Sequence, residues 1–104
     1  GVPGLPIAVA QADETAESCL AFRKGNLENG LSVDIESSCG MKLACKLSWV
    51  VQCTDNDGKL ESKSAKTERF GLAASESHSV TMSAESCKQS WRVDDVKWGC
   101  DPVK

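Results

Sequence analysis

Tyrosine is absent from this 104-residue chain, and histidine occurs once, at position 78. A single imidazole leaves little material for a histidine-based metal site or for a catalytic histidine held among partners. No apolar run reaches the roughly 20 residues that a membrane-spanning helix needs. We therefore expect no metal centre, no cofactor and no insertion into a membrane.

Short catalytic and redox motifs are missing as well. The chain has no Cys-x-x-Cys pair of the kind that disulfide-exchange proteins use, and no Gly-x-Ser-x-Gly turn to present a nucleophilic serine. Ser77 and Ser79 flank His78, but sequence neighbours on a strand point to opposite faces and do not assemble a triad. We therefore predict that the protein is not an enzyme. A small secreted hydrolase or toxin that uses His78 is the enzymatic alternative.

No stretch of the sequence concentrates charge of one sign. Twelve Lys and Arg residues oppose fifteen Asp and Glu residues, which gives a formal net charge of −3, and the lysines are scattered between acids. Proteins that bind nucleic acids or anionic membrane surfaces usually contain basic blocks. The sequence therefore argues against nucleic acid as a partner.

Cysteine, by contrast, is abundant. The six residues are Cys19, Cys39, Cys45, Cys53, Cys87 and Cys100. An even number in a short domain predicts three disulfides, and the spacings do not match the short ligand loops of zinc sites. Because cytosolic thiols are kept reduced, we expect a secreted protein, either extracellular or periplasmic.

The beginning of the chain differs in composition from the remainder. Residues 1–12 are uncharged and largely apolar, with proline and glycine interspersed. Ala8-Val9-Ala10 and Ala10-Gln11-Ala12 both resemble sites of signal peptidase cleavage. We interpret residues 1–17 as a flexible N-terminal tail, which could be the remnant of an export signal, and residues 18–104 as one folded domain.

Apolar and polar residues alternate along most of that domain with the period of a β-strand. Leu43 to Cys53 is the clearest case, because every second residue from Leu43 is apolar or cysteine. The other segments with strand character are 19–22, 31–36, 60–65, 68–72, 78–82 and 89–100. About seven strands at this spacing predict an all-β fold, an antiparallel β-sandwich stapled by three disulfides.

Trp49 shares the apolar face of the central strand, and a buried tryptophan there resembles the architecture of immunoglobulin and fibronectin type III domains. A chain without tyrosine has no tyrosine corner, and the cysteines do not follow the immunoglobulin spacing around Trp49. The resemblance therefore implies the architecture and no particular family.

The last strand segment changes phase at Asp94-Asp95. Trp91 and Val93 have one parity, whereas Val96 and Trp98 have the other. A β-bulge at the two aspartates would bring all of these side chains to one face. A hairpin that turns at the same place is the alternative.

Strand geometry restricts the disulfide pairing. Cys45 and Cys53 are eight residues apart on one strand, about 26 Å at ~3.3 Å per residue, so they do not bond each other. An antiparallel last strand beside them predicts a Cys53–Cys87 disulfide. Three pairings of the other four cysteines stay open, with a slight preference for Cys39–Cys45 and hence Cys19–Cys100.

For function, we favour a secreted, non-enzymatic binding or structural module that recognises a protein or glycan through a sheet face or end loops. Trp91 and Trp98 are candidates for exposed recognition rings. Lys46 and Gln52 lie on the polar face of the central strand. Asp55 and Asp57 lie in the following loop, where their spacing also resembles part of a calcium-binding loop that lacks its end ligands.

The main alternative to a binding module is a secreted inhibitor of a hydrolase or protease. A rigid loop binds an enzyme with little ordering cost, and Cys39-Gly40-Met41-Lys42 is the segment that a disulfide could hold in place.

Overall fold

The computed structural model describes residues 18–103, and six strands are the regular elements of that range. They are β1 Leu20–Leu27, β2 Gly30–Ser37, β3 Leu43–Thr54, β4 Leu60–Leu72, β5 Ser77–Ser83 and β6 Ser90–Pro102. All neighbouring strands pair antiparallel. The predicted all-β fold is therefore confirmed, whereas the interpretation of residues 1–17 as a tail lies outside the described residues.

The expected count of seven strands is wrong for the described residues. The segments predicted separately at 60–65 and 68–72 form the single strand β4, which pairs with β3 from Leu60 to Leu72 with one register shift next to Thr54. Most of β4 is exposed because it is an edge strand. An edge strand in contact with water has no need for apolar alternation, so the pattern that marks a strand fades along it.

The strands form two three-stranded sheets. The first, with the order β1-β2-β5 and strands of seven or eight residues, is called the short sheet here. The second, with the order β4-β3-β6 and strands of twelve or thirteen residues, is called the long sheet. Two facing sheets are consistent with a sandwich, and the immunoglobulin or fibronectin type III class stays a prediction.

The core lies between the sheets and takes residues from both. Its most deeply buried side chains include Val33, Ile35, Leu43, Leu47, Leu72, Val80 and Met82. β3 provides the longest inward row, with alternate residues buried from Leu43 to Cys53 as its sequence predicts. The rings of Phe22 on β1 and Trp98 on β6 meet across the core, with their centroids 4.7 Å apart.

A β-bulge interrupts β6 at the two aspartates. Ser48 pairs with Lys97, but Val50 pairs with Asp94, so β6 contains one extra residue between these positions. Asp95 has φ 52°, in the left-handed region that Asp tolerates better than most residues. The bulge brings Val96 and Trp98 to the inward face that Trp91 and Val93 also occupy. The bulge prediction is confirmed and the hairpin alternative is wrong.

Three disulfides connect all six cysteines. The predicted Cys53–Cys87 bond is present. The preferred Cys39–Cys45 bond and its companion Cys19–Cys100 are wrong. The bonds formed are Cys19–Cys39 and Cys45–Cys100.

Strand order explains this correction. Cys45 lies directly opposite Cys100 in the register of β3 and β6, with Cα atoms 4.1 Å apart. Cys19 precedes β1 and Cys39 follows β2, at the end where these two strands meet. Cys39 and Cys45 are close in sequence, which favoured their pairing, but the segment between them connects one sheet to the other. Such disulfides are typical of proteins outside the reducing cytosol.

The predicted turn after β3 is present. The Asp55 carboxylate accepts hydrogen bonds from the backbone N–H groups of Asp57 and Lys59, each at 2.9 Å. Gly58 has φ 82°, a conformation that favours glycine. None of the described residues belongs to a helix that could cross a membrane.

Candidate binding surface

The outer face of the long sheet is the most distinctive surface of the described residues. β3 directs Ala44, Lys46, Ser48, Val50 and Gln52 away from the core. Their partners in register on β4 are Gly71, Arg69, Thr67, Ala65 and Lys63. Their partners in register on β6 are Asp101, Gly99, Lys97, Asp94 and Arg92. Five cations and two acids therefore share this face, excluding the bulged Asp95.

One end of this face contains an open groove of about 900 Å³. Its floor is low because Ala44 and Gly71, which are opposite each other, and Gly99, in the next outward row opposite Lys46, have minimal side chains. A Cβ atom placed on Gly99 would meet nothing within 4 Å. At Gly71, the nearest atom to such a Cβ would be Cε of Lys42, at 3.4 Å, so the Lys42 side chain lies along the groove.

Four cations line the groove: Lys42, Lys46, Arg69 and Lys97. We call these residues, together with the floor of Ala44, Gly71 and Gly99, the basic groove. Among the described residues, none of the four cations has an ion-pair partner within 4.0 Å. Asp101 is the acid on the lining. The groove therefore concentrates uncompensated positive charge in a chain whose net charge is negative.

The opposite end of the same face, the closed end, is locally neutralised on β3 and β6, and Lys63 on β4 is the cation there without an ion-pair partner among the described residues. Arg92 forms an ion pair with Asp94, with Nε and Oδ2 2.9 Å apart, and it also donates a hydrogen bond to the amide oxygen of Gln52. Gln52 in turn donates to Asp94 at 3.1 Å. Because these three side chains satisfy one another, this end is less available for a ligand than the basic groove is.

The predicted site residues are not brought to one place. Lys46 lies in the basic groove, whereas Gln52 belongs to the closed end of the face. Asp55 and Asp57 lie in the turn beyond it, where the Asp55 carboxylate caps the backbone.

The two candidate tryptophans lie on the inner side of β6. Trp98 is 6% exposed and packs on Phe22, so its ring is part of the core rather than an exposed platform. Trp91 is half-buried against the same core.

Arg69 and Lys97 were not identified from the sequence, and Lys42 was considered only as part of the loop for enzyme inhibition. The alternation of each strand predicts that Arg69 and Lys97 point outward, because Phe70 and Trp98 beside them point inward. No sequence pattern placed them next to Lys46, because that requires the order β4-β3-β6. Lys42 precedes β3 and had no strand signal of its own.

His78 lies between the sheets at the β4–β5 edge and not on an isolated surface. Its Nε2 atom is 2.8 Å from Oε2 of Glu68, and its ring stacks on Phe70 with centroids 4.2 Å apart. The parity of His78 with Val80 and Met82 was the signal for this inward position. No hydrogen bond in residues 18–103 connects His78 to a hydroxyl group.

Other candidate chemistry is limited in the described range. Within it, no group of three or more His, Cys, Asp or Glu residues is placed to hold a metal ion. The loop considered for enzyme inhibition connects β2 to β3, and Met41 there is 39% exposed. The inhibitor role stays a prediction.

Comparison with known proteins gives little further information. No family model matches the chain, and no curated protein sequence matches it. A crystal structure of red sea bream transglutaminase superposes on 82% of this chain and 16% of that enzyme, with a TM-score of 0.46 and 11% sequence identity. A similarity this distant does not bear on function.

Proposed function

We propose that the protein is a secreted, non-enzymatic binding module whose ligand-binding surface is the basic groove. The observation that supports this proposal most is the collection of Lys42, Lys46, Arg69 and Lys97 around a low floor without ion-pair partners in residues 18–103. Like charges that crowd one surface repel one another, so this arrangement does not serve stability. Binding an anionic group would relieve that repulsion.

The shape of the surface supports the same role. Flanking side chains rise above the small residues Ala44, Gly71 and Gly99, and the floor extends across all three strands. Adjacent strands lie about 4.8 Å apart, so the floor is roughly 10 Å wide. A rigid, disulfide-stapled sheet presents such a site with little loss of conformational entropy on binding.

The chemistry of the remaining candidates fits a non-enzymatic module. All six thiols are engaged in disulfides. The His78 imidazole is engaged by Glu68 and Phe70, contacts that tie β4 to β5. The three disulfides support export from the cytosol, because such bonds persist in oxidising compartments outside it.

Charge reversal tests the proposal. Lys46→Glu/Lys97→Glu alters the basic groove, and Lys59→Glu/Lys88→Glu makes the same change in net charge at the far end of the molecule. The two variants and the unmodified protein are each titrated by calorimetry with four soluble polymers: dextran, dextran sulfate, polygalacturonate and polyglutamate. We expect that the unmodified protein and the far-end variant bind at least one polymer, and that the groove variant loses at least about tenfold in affinity.

Equal losses in the two variants would show that binding depends on net charge and not on this surface. Binding that neither variant weakens would place the ligand elsewhere. Either result contradicts the proposed function. Unfolding midpoints of both variants near that of the unmodified protein confirm that the folds are intact.

A further inference from the structure

We infer that the basic groove binds a linear anionic polysaccharide, one that bears sulfate or carboxylate groups along its chain. This inference rests on the proposed function and adds the class of ligand. Charge complementarity is its first support, because four cations from separate parts of the sequence have no acidic partner among the described side chains. Arg69 provides a planar fork that matches sulfate and carboxylate oxygens, and the lysines provide point charges.

The dimensions of the groove favour an extended polymer over a single ion. The lining runs along β3 from Lys42 to Ser48, about 20 Å at ~3.3 Å per residue. Arg69 is opposite Lys46, and Lys97 is opposite Ser48 in the next outward row. The cations are therefore distributed diagonally across the sheet, as is suitable for charges repeated along a chain.

Phe70 and Trp98 contribute to the groove lining, but no aromatic residue occupies an outward position of the strands there, and this separates the candidate ligands. The aromatic residues of the surrounding strands turn to the other side, where Phe70 stacks on His78 and Trp98 packs on Phe22. Single-stranded nucleic acids need aromatic surfaces on which bases stack. Neutral sugar rings use similar platforms. Recognition here depends on charge and hydroxyl contacts, which an acidic polysaccharide supplies.

Hydroxyl groups next to the cations fit the same ligand. Ser48 and Thr67 lie on the outer face one row from Lys46 and Arg69, and their side-chain oxygens are 3.1 Å apart. Each hydroxyl retains further hydrogen-bonding capacity toward sugar hydroxyls. A double-stranded nucleic acid fits less well, because its major groove admits a helix or a two-stranded ribbon and not a three-stranded sheet.

The decisive experiment separates a shaped site from general electrostatic attraction. Gly99→Val fills the floor without changing any charge, in space where a Cβ atom meets nothing. Gly40→Val is the control, since a Cβ atom at Gly40 also meets nothing within 4 Å and Gly40 lies outside the groove lining. We expect Gly99→Val to weaken dextran sulfate or polygalacturonate binding at least about fivefold, and Gly40→Val to leave it unchanged.

Salt and competitor titrations provide the second measurement. If all four cations displace counterions, with a slope per charge like that of single-stranded polyelectrolytes, raising salt from about 50 to about 200 mM weakens binding roughly 50-fold. The inference is supported if binding to dextran sulfate or polygalacturonate is weakened both by Gly99→Val and by raised salt, and if dextran binds much more weakly than that polymer.

Tighter binding of polyglutamate, of a single-stranded oligonucleotide or of anionic lipid vesicles would overturn the inference. If that binding is still lost in Lys46→Glu/Lys97→Glu, the proposed function stands with another ligand. Equal binding by Gly99→Val and the unmodified protein would also overturn it, because the ligand would then not occupy the groove.

Discussion

The outer faces of the two sheets differ in chemistry although both sheets contribute apolar residues to one core. The short sheet directs one cation, Arg23, and two acids, Asp34 and Glu36, away from the core, beside a row of hydroxyls on β5. The Ser79 hydroxyl donates to the Asp34 carboxylate at 2.6 Å, so part of this charge is locally satisfied. The long sheet instead directs five cations and two acids outward, and several of the cations have no partner among the described residues.

Folding restricts the residue types on the inner faces of the sheets much more than those on the outer faces. The central strands β2 and β3 must be largely apolar on their inner side because both sheets share one core, and they are. The edge strand β4 is apolar on that side only at Phe70 and Leu72. The outer faces meet water, so stability places few constraints on them beyond solubility. A concentration of unpaired charge on only one of them is therefore better explained by a ligand than by the fold.

The largest expected effect concerns the bulge in the long sheet, a feature that the register of the short sheet lacks. Deleting Val96 removes the bulge and places Asp95 at the inward position that Val96 occupies, so a carboxylate replaces an apolar side chain in the core. We expect a loss of more than about 4 kcal/mol in the free energy of unfolding, or failure to fold. Near-ultraviolet circular dichroism and denaturant titration measure this.

Asp95→Gly is the matched control for the deletion. Glycine adopts the observed φ of 52° without strain, so the stability should stay within about 1 kcal/mol of the unmodified protein. A deletion variant that folds with unchanged stability would show that the inward position of Val96 does not require an apolar side chain.

The disulfides offer a comparison of intermediate size. Cys45–Cys100 closes 55 residues within the long sheet, whereas Cys19–Cys39 closes 20 residues at the end of the short sheet. The chain-entropy model predicts that replacing the longer pair by alanine costs about 1 kcal/mol more than replacing the shorter pair. Both cysteines of the longer bond are buried, whereas only Cys39 of the shorter bond is, so the void that alanine leaves in the core adds to the difference.

Denaturant unfolding of the two double variants, with the remaining bonds verified by mass spectrometry, tests this order. A greater loss for Cys19→Ala/Cys39→Ala would mean that the short sheet depends more on its covalent closure than the long sheet does.

The smallest expected effect lies where the two sheets meet at the β4–β5 edge. His78→Ala removes the stacking on Phe70 and the contact with Glu68, and we expect it to cost about 1–2 kcal/mol in the free energy of unfolding. His78→Phe keeps a stacking ring and loses only the hydrogen bond, so it should cost about half as much.

Chemical denaturation at one pH compares the two His78 variants. If the free energy of unfolding of His78→Ala equals that of the unmodified protein, His78 does not contribute to the contacts that join the sheets. Polymer binding by His78→Ala should equal that of the unmodified protein, because His78 is not part of the groove lining.

Local patterns predicted those parts of the fold that depend on contact with the core. Alternation along β3 identified its inward row, and the phase break at Asp94-Asp95 located the irregularity that the structure shows to be a bulge. The same reasoning divided β4 into two strands, because an exposed edge strand lacks the alternation that burial imposes. Cys53–Cys87 followed from strand lengths, whereas the other two pairings depended on which strands lie side by side.

The sequence alone determined the strand periodicity, the number of cysteines and the inward or outward facing of each residue on β3. These properties are local, because the side-chain direction of a strand alternates with every residue. Tertiary structure decided which outward residues become neighbours. Lys42, Lys46, Arg69 and Lys97 are scattered along the sequence, and only the order β4-β3-β6 places them around one groove. Their separation along the sequence does not show that they are neighbours, because hydrogen bonding between the strands determines which outward residues lie side by side.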